Sequence, residues 1–283
     1  MKRKIKFIND EEIDDDAYIW RYMDLHKFLS FIFTQSFFLT RLDKFEDQRE
    51  GIAIEHLITQ DLKRNIDTNP IFDSVRQYMV IDTFGNEMNQ IEDELKKIQR
   101  FHFANCWVIG NNKSESVAMW NLYSNPNSLA IKIKYKDFKE KVLEKGLGQI
   151  DKTREIILAP VRYIDFQNMK EVWGLRNSLL DSVFIKDISF EHEKEFRIVV
   201  KEKYREIPMP NYKPNISRAH IDKLHNSQYD YSGITLKLND FKNYDFEIVH
   251  HPRSEKWAKE NINNILEKFK IKFKVSESSL HLK

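Results

Sequence analysis

The sequence predicts an α+β fold: one elaborated domain over residues 1–283, with a central, mostly antiparallel sheet flanked by helices. Three observations lead there. Short runs rich in aromatic and β-branched residues recur between amphipathic helical segments. The chain contains neither an internal repeat nor a linker long enough to demand a second domain. Its 283 residues are 41% hydrophobic and include 20 Phe, enough for a sizeable core.

In chain order, Tyr18-Ile19-Trp20-Arg21-Tyr22 reads as a strand, because aromatic residues suit a pleated, half-buried surface. Asp24 is placed to cap a helix reaching about Gln35, with Leu25, Phe28, Leu29 and Ile32 at helical spacing. Phe37 to Thr40 reads as a second strand. The acidic turn from Phe45 to Gly51 leads into a helix over Ile52–Arg64, and Ile71–Arg100 is helical with a break near Gly85-Asn86. A strand over Phe101–Ile109 precedes a turn, and then a short helix carries Met119, Trp120 and Tyr123, capped by Ser114 or Ser116. Leu129–Lys134 alternates apolar and basic residues, as a half-exposed strand does. Asp137–Lys145 is a helix ended by Gly146, and Ile156–Phe166 a strand with Pro160 at an edge or bulge. Leu175–Ile188 is expected to be helical and Phe196–Lys203 a strand. The segment Pro208–Tyr231 is a polar, proline-containing loop. A strand over Phe246–His250, an amphipathic helix over Lys256–Phe269 and a closing strand over Lys270–Val275 complete the chain.

Composition removes several function classes. Lys plus Arg is 46 against 44 Asp plus Glu, so net charge offers no argument for a nucleic-acid partner. Cys106 is the one cysteine, which excludes an intrachain disulfide and a cysteine-based zinc cage. Adjacent His250 and His251 on a strand face opposite ways, so no metal site is expected. With seven glycines there is no Gly-x-Gly-x-x-Gly or Walker segment, and Gly-x-Ser-x-Gly is also missing. No run approaches the roughly 18 apolar residues of a membrane span. The basic start is followed by acids rather than an apolar signal core, so no membrane partner and a cytoplasmic location are expected.

The segment Glu193-Lys194-Glu195-Phe196-Arg197 is the most informative. As a strand it would place Glu193, Glu195 and Arg197 along one face and Phe196, Ile198 and Val200 on the core face. Two carboxylates within about 7 Å raise the pKa of one of them, while Arg197 opposes that effect. Such a row can bind a hydroxylated or cationic ligand, or stabilise positive charge at a reacting carbon; a solvated face with a structural ion pair is the plain alternative. Arg21, between Trp20 and Tyr22, can grip a phosphate while stacking on a ring. Asp47 and Glu50 suit a helix N-terminus, Tyr123 suits a pocket wall, and Cys106 reads as a small buried residue.

Together these segments resemble a family of uncharacterised bacterial domains found near mobile elements and defence genes. The shared pattern is Trp20-Arg21-Tyr22, then Phe45, Asp47 and Glu50, then Cys106-Trp107, then Met119-Trp120 with Tyr123, then Glu193-x-Glu195-Phe196-Arg197. The parts around His250-Pro252 and Ser276–Leu280 are also similar. Gln48, Val108 and Phe196 depart from the family's proline, serine and tryptophan. The order also has a distant similarity to ADP-ribosyltransferases. That similarity implies Glu195 and Glu193 as catalytic residues, and Arg21, Tyr22, Asp47, Glu50, Trp120, Tyr123 and Arg197 around the nucleotide. NAD would be a substrate and not a permanently bound cofactor. Glu195 would hold a ribose hydroxyl and stabilise the oxocarbenium-like transition state, while Glu193 would orient or deprotonate a protein or nucleic-acid acceptor of unknown identity. This implies an NAD-consuming toxin or anti-phage effector, and it predicts a cleft containing Arg21 and Glu195 on neighbouring strands. A non-catalytic nucleotide- or protein-binding sensor is the alternative. A third, an RNA-binding protein or nuclease using Lys132, Lys134 and Lys136, is opposed by the balanced charge.

Overall fold

The computed structural model describes residues 5–47, 49–51, 54, 56–58, 60, 61, 64, 99–110, 115–148, 154–175, 182–202 and 231–280. The helix expected over 71–100, apart from its last two residues, and the loop over 208–230 lie outside the described residues, as does Ser114.

The strands are β1 (Ile5–Phe7), β2 (Tyr18–Met23), β3 (Ser36–Arg41), β4 (His102–Gly110), β5 (Leu129–Lys134), β6 (Arg154–Pro160), β7 (Arg162–Ile164), β8 (Ile185–Asp187), β9 (Glu195–Glu202), β10 (Gly233–Lys237), β11 (Glu247–His250) and β12 (Lys274–Ser276). The main sheet runs β1-β6-β9-β4-β2-β5-β11-β12, with β3 also against β4 and β10 against β3. It is antiparallel except for β1 on β6 and β12 on β11, so the α+β, mostly antiparallel reading holds. Strands β7 and β8 form a small parallel pair of their own.

Alternation along these strands sorts the side chains onto two faces. One face carries Ile19, Met23, Trp107, Ile131, Phe196, Ile198 and Val200. It is buried under the helices Leu25–Thr34, Phe138–Lys145 and Lys256–Phe269, through Phe28, Phe31, Phe138, Val142, Ile262 and Leu266. The first helix starts where Asp24 accepts the Lys27 N–H at 2.8 Å, and it ends where Gln35 turns left-handed at φ 49°. The opposite face carries Ala104, Cys106, Val108, Glu195, Arg197 and Val199. The helix Val117–Tyr123 covers part of it, its first turn capped by Ser116 accepting the Met119 N–H at 3.3 Å.

Four expectations are corrected. The apolar run Val183-Phe184-Ile185 ends in strand β8, not in a helix over Leu175–Ile188, because it pairs with β7. The strand over Ile156–Phe166 is two strands, divided at Val161, whose N–H turns to the Glu195 carbonyl at 2.8 Å. Strand β5 is half-exposed only at its end: Lys134 keeps 43% of its side chain exposed, whereas Lys132 is covered by Trp20, 4.7 Å from its ring, and paired with Glu247 at 3.2 Å. Glu193 is not on the strand ridge. It ends a helical turn over Ile188–Glu193, Lys194 is left-handed at φ 42°, and β9 starts at Glu195.

Candidate functional site

A fork in the sheet builds the site. Strand β9 pairs with β4 from His102 to Val108. On the other edge of β4, β3 pairs at Phe103 and Ala104, and β2 at Val108 to Gly110. Between these contacts β2 and β3 part, and Asn105 bridges the gap by donating to the Phe38 carbonyl at 2.8 Å. A cleft of about 640 Å³ opens there. Its walls include Arg21 and Tyr22 from β2, Asp47 and Glu50 from the acidic turn, Cys106 from β4, Tyr123, and Glu193 and Glu195.

The acidic end rests on a buried ionic cluster. Lys186 of β8 donates to Glu193 at 2.6 Å and Glu195 at 2.9 Å, and lies 3.2 Å from Glu50. Arg197 donates from Nε to Glu195 at 2.6 Å, from Nη1 to Glu50 at 2.8 Å and to the Val183 carbonyl at 2.8 Å, and from Nη2 to Glu50 at 3.1 Å. The Tyr123 hydroxyl donates to Glu193 at 2.5 Å, and the Tyr163 hydroxyl accepts the Glu195 N–H at 2.8 Å. Buried charges persist only when paired and hydrogen-bonded in this way.

The electrostatics follow from the count of three carboxylates against two cations. Desolvation and the neighbouring Glu195 push Glu193 up to about 7, although Lys186 and Tyr123 favour its charged form. Glu195 resists desolvation because Arg197 and Lys186 hold it well below the usual carboxylate range. Lys186 is likewise desolvated, yet Glu195 and Glu50 keep it charged. Burial first, and then the Glu195 charge, push the Cys106 thiol upward, so it is a poor nucleophile.

Arg21 lies at the other end. Arg21 shares its face of β2 with Ile19 and Met23, opposite to Glu195, and the cleft reaches both through the fork. Desolvation pulls the Arg21 guanidinium down to about 10, and among the described residues no carboxylate pairs with it. Lys27 and Lys44 line the same cleft, Lys27 sharing Asp24 at 3.4 Å. Arg21 and Glu195 are not on neighbouring strands, since β4 lies between them. Val108 is the partner of both Trp20 and Glu195, so two strand spacings, about 10 Å, separate their backbones.

Two expected ligand residues do not reach the cleft wall. Arg197 is fully buried, with its donors committed to Glu195, Glu50 and Val183. Trp120 is also fully buried, edge-on to Tyr22 at 4.8 Å and donating to Glu115 at 2.8 Å. Asp47 caps its own turn by accepting the Arg49 N–H at 2.9 Å, and the Tyr22 hydroxyl accepts the Ser116 N–H at 3.0 Å. Sequence reasoning missed Lys186. Its signal is a lone lysine closing the apolar run Val183-Phe184-Ile185, a place where a lysine needs a carboxylate. Among the described residues no group of three or more His, Cys, Asp or Glu is placed to hold a metal ion, and no helix is long and apolar enough to cross a membrane.

Comparison with known proteins returns no match: no family model, no curated protein and no solved structure is significantly similar to the chain. The resemblance described above therefore rests on its motifs alone.

Proposed function

We propose that the cleft binds a nucleotide carrying a diphosphate, NAD being the candidate, and that the protein is an NAD-consuming enzyme of ADP-ribosyltransferase-like type. The observation that carries this reading is Arg21, a half-buried guanidinium without a carboxylate partner among the described residues, lining the same cleft as Glu195. Such a group gains most from an anionic ligand, and its planar fork matches phosphate oxygens. At the other end, a carboxylate held ionised at a buried wall suits stabilisation of positive charge developing on a ribose as nicotinamide leaves. Glu193, with a pKa near 7, suits proton exchange with an acceptor hydroxyl or water.

The test is incubation with NAD while following nicotinamide release. Glu195→Gln should cut turnover at least about 100-fold while leaving binding intact. Arg21→Ala should weaken binding. An effector role predicts that expression harms cells and that Glu195→Gln relieves the harm. Absence of nicotinamide release from the wild type would sink the enzymatic reading.

One observation favours a second reading, a non-catalytic nucleotide sensor. Both oxygens of Glu195 are already engaged by Lys186 and Arg197, and both oxygens of Glu193 by Tyr123 and Lys186. That reading expects NAD affinity dependent on Arg21 with no turnover, and the same experiment separates the two.

A further inference from the structure

Glu115 stands outside the cleft, yet its carboxylate accepts four hydrogen bonds. One oxygen takes the N–H of Ser279 at 2.6 Å and its hydroxyl at 3.0 Å. The other takes the Ser278 hydroxyl at 2.6 Å and the Trp120 indole N–H at 2.8 Å. The Ser278 hydroxyl accepts the Leu280 N–H at 3.1 Å, and Leu280 packs on the cluster of Trp20, Val108 and Trp120. Two residues earlier, Ser276 donates to Glu247 at 2.7 Å, and β12 pairs with β11. The segment Ser276–Leu280 is thus fixed to the sheet at one end and to Glu115 at the other.

Glu115 immediately precedes the Ser116 cap of the helix Val117–Tyr123. Seven residues make too few internal hydrogen bonds for a helix to hold its own position, so its placement comes from its contacts. At its near end those contacts are the cap, the buried Trp120 and Glu115. At its far end is Tyr123, whose side chain is not held by burial, the residue being 47% exposed. Its hydroxyl meets Glu193 because the helix points it there.

We infer that Glu115 is a positioning residue: through Ser278 and Ser279 it clamps the helix Val117–Tyr123 so that Tyr123 reaches Glu193, making Ser276–Leu280 a working part of the cleft. The inference takes Glu193 as part of the site, as in the reading above, but its test uses no nucleotide. The groups facing Glu193 are Lys186 from β8, Glu195 at the start of β9, Tyr123 from the helix and Tyr163 from β7, with Glu50 and Arg197 behind them. Of these, Tyr123 favours the charged form of Glu193 by donating to it.

The experiment follows the glutamate carboxyl carbons of the full, ligand-free chain by ¹³C NMR across pH, with Glu193 assigned through Glu193→Gln. Tyr123→Phe should raise the Glu193 midpoint by roughly one unit. Glu115→Gln should move it in the same direction, and Glu115→Gln combined with Tyr123→Phe should move it no further than Tyr123→Phe alone. Should Glu115→Gln fail to fold, the Ser278→Ala, Ser279→Ala pair must reproduce the shift. Variants that lower the melting temperature but leave the Glu193 midpoint at its wild-type value would overturn the clamp. So would a further shift from Glu115→Gln in the Tyr123→Phe background. A chain that releases no nicotinamide but behaves as expected here would lose its enzymatic reading and keep its clamp.

Discussion

Arg197 grips Glu50, 147 residues earlier in the chain, through both terminal nitrogens at 2.8 and 3.1 Å, with neither side chain more than 1% exposed. The pair ties the acidic turn to the central strand β9, and so fixes one wall of the cleft. Removing one partner strands the other charge away from water. Glu50→Ala is therefore expected to destabilise the fold by about 3–5 kcal/mol, read as a lower urea midpoint at unchanged slope. Arg197→Lys should behave similarly, because an ammonium cannot replace the two-pronged contact.

The surplus carboxyl of the cluster sets a pH dependence. Glu193 is pushed from an ordinary 4.5 up to about 7 in the folded chain, so between those values the folded state holds more protons than the unfolded one. Its contribution is complete below about 4.5 and is lost as pH rises toward 7. Glu195, held low, contributes above its ordinary value and loses that contribution as pH falls below it. Urea unfolding between pH 5 and 8 should show stability falling by on the order of 2 kcal/mol, and Glu193→Gln should flatten that slope. An equally steep slope in Glu193→Gln would assign the titration to another group.

Under the proposed reading, Arg21 is held for an anionic ligand at some expense to the fold. Its guanidinium is desolvated without a carboxylate partner among the described residues. Arg21→Met should leave stability unchanged or raise it by about 1 kcal/mol, while NAD affinity drops by roughly 10- to 100-fold. Calorimetric titration together with thermal melts reads both. A variant that loses stability but keeps affinity would make Arg21 a structural residue.

Gly110 is a close-approach position. A Cβ there would stand 2.5 Å from the indole nitrogen of Trp20, which is 1% exposed and lines the cleft. Gly110→Ala should displace Trp20 and cost about 1–3 kcal/mol, with a shift in tryptophan emission. An unchanged melting temperature and spectrum would show that the indole can move freely.

Much of the fold was legible because its signals are local. Aromatic richness marked β2, period-two patterning marked β9, and period 3.6 with the Asp24 cap marked the helix Leu25–Thr34. The helix Lys256–Phe269 was read to its ends from its apolar stripe, and in the structure it closes at a left-handed Lys270. The run Val183–Asp187 misled because a short apolar stretch carries no period of its own. Its state was decided by the available partner, β7.

At the site, the sequence by itself determined the residue types and their order: an arginine in an aromatic strand, an acidic turn, and two glutamates before a core strand. It also implied that neighbouring acids would raise one carboxyl against the pull of Arg197, but not that Glu193 would leave the strand or that Lys186 would help hold Glu195 low. Only the tertiary structure decided which charges meet. Lys186 enters the cluster because β8 and the turn after it bring it back beside β9. Arg197 turns inward to Glu50 and not to the cleft, and Arg21, on the far side of the fork, has no carboxylate partner among the described residues. The physical reason is that compensation of buried charge is set by strand register and distance in space, and local sequence pattern carries neither.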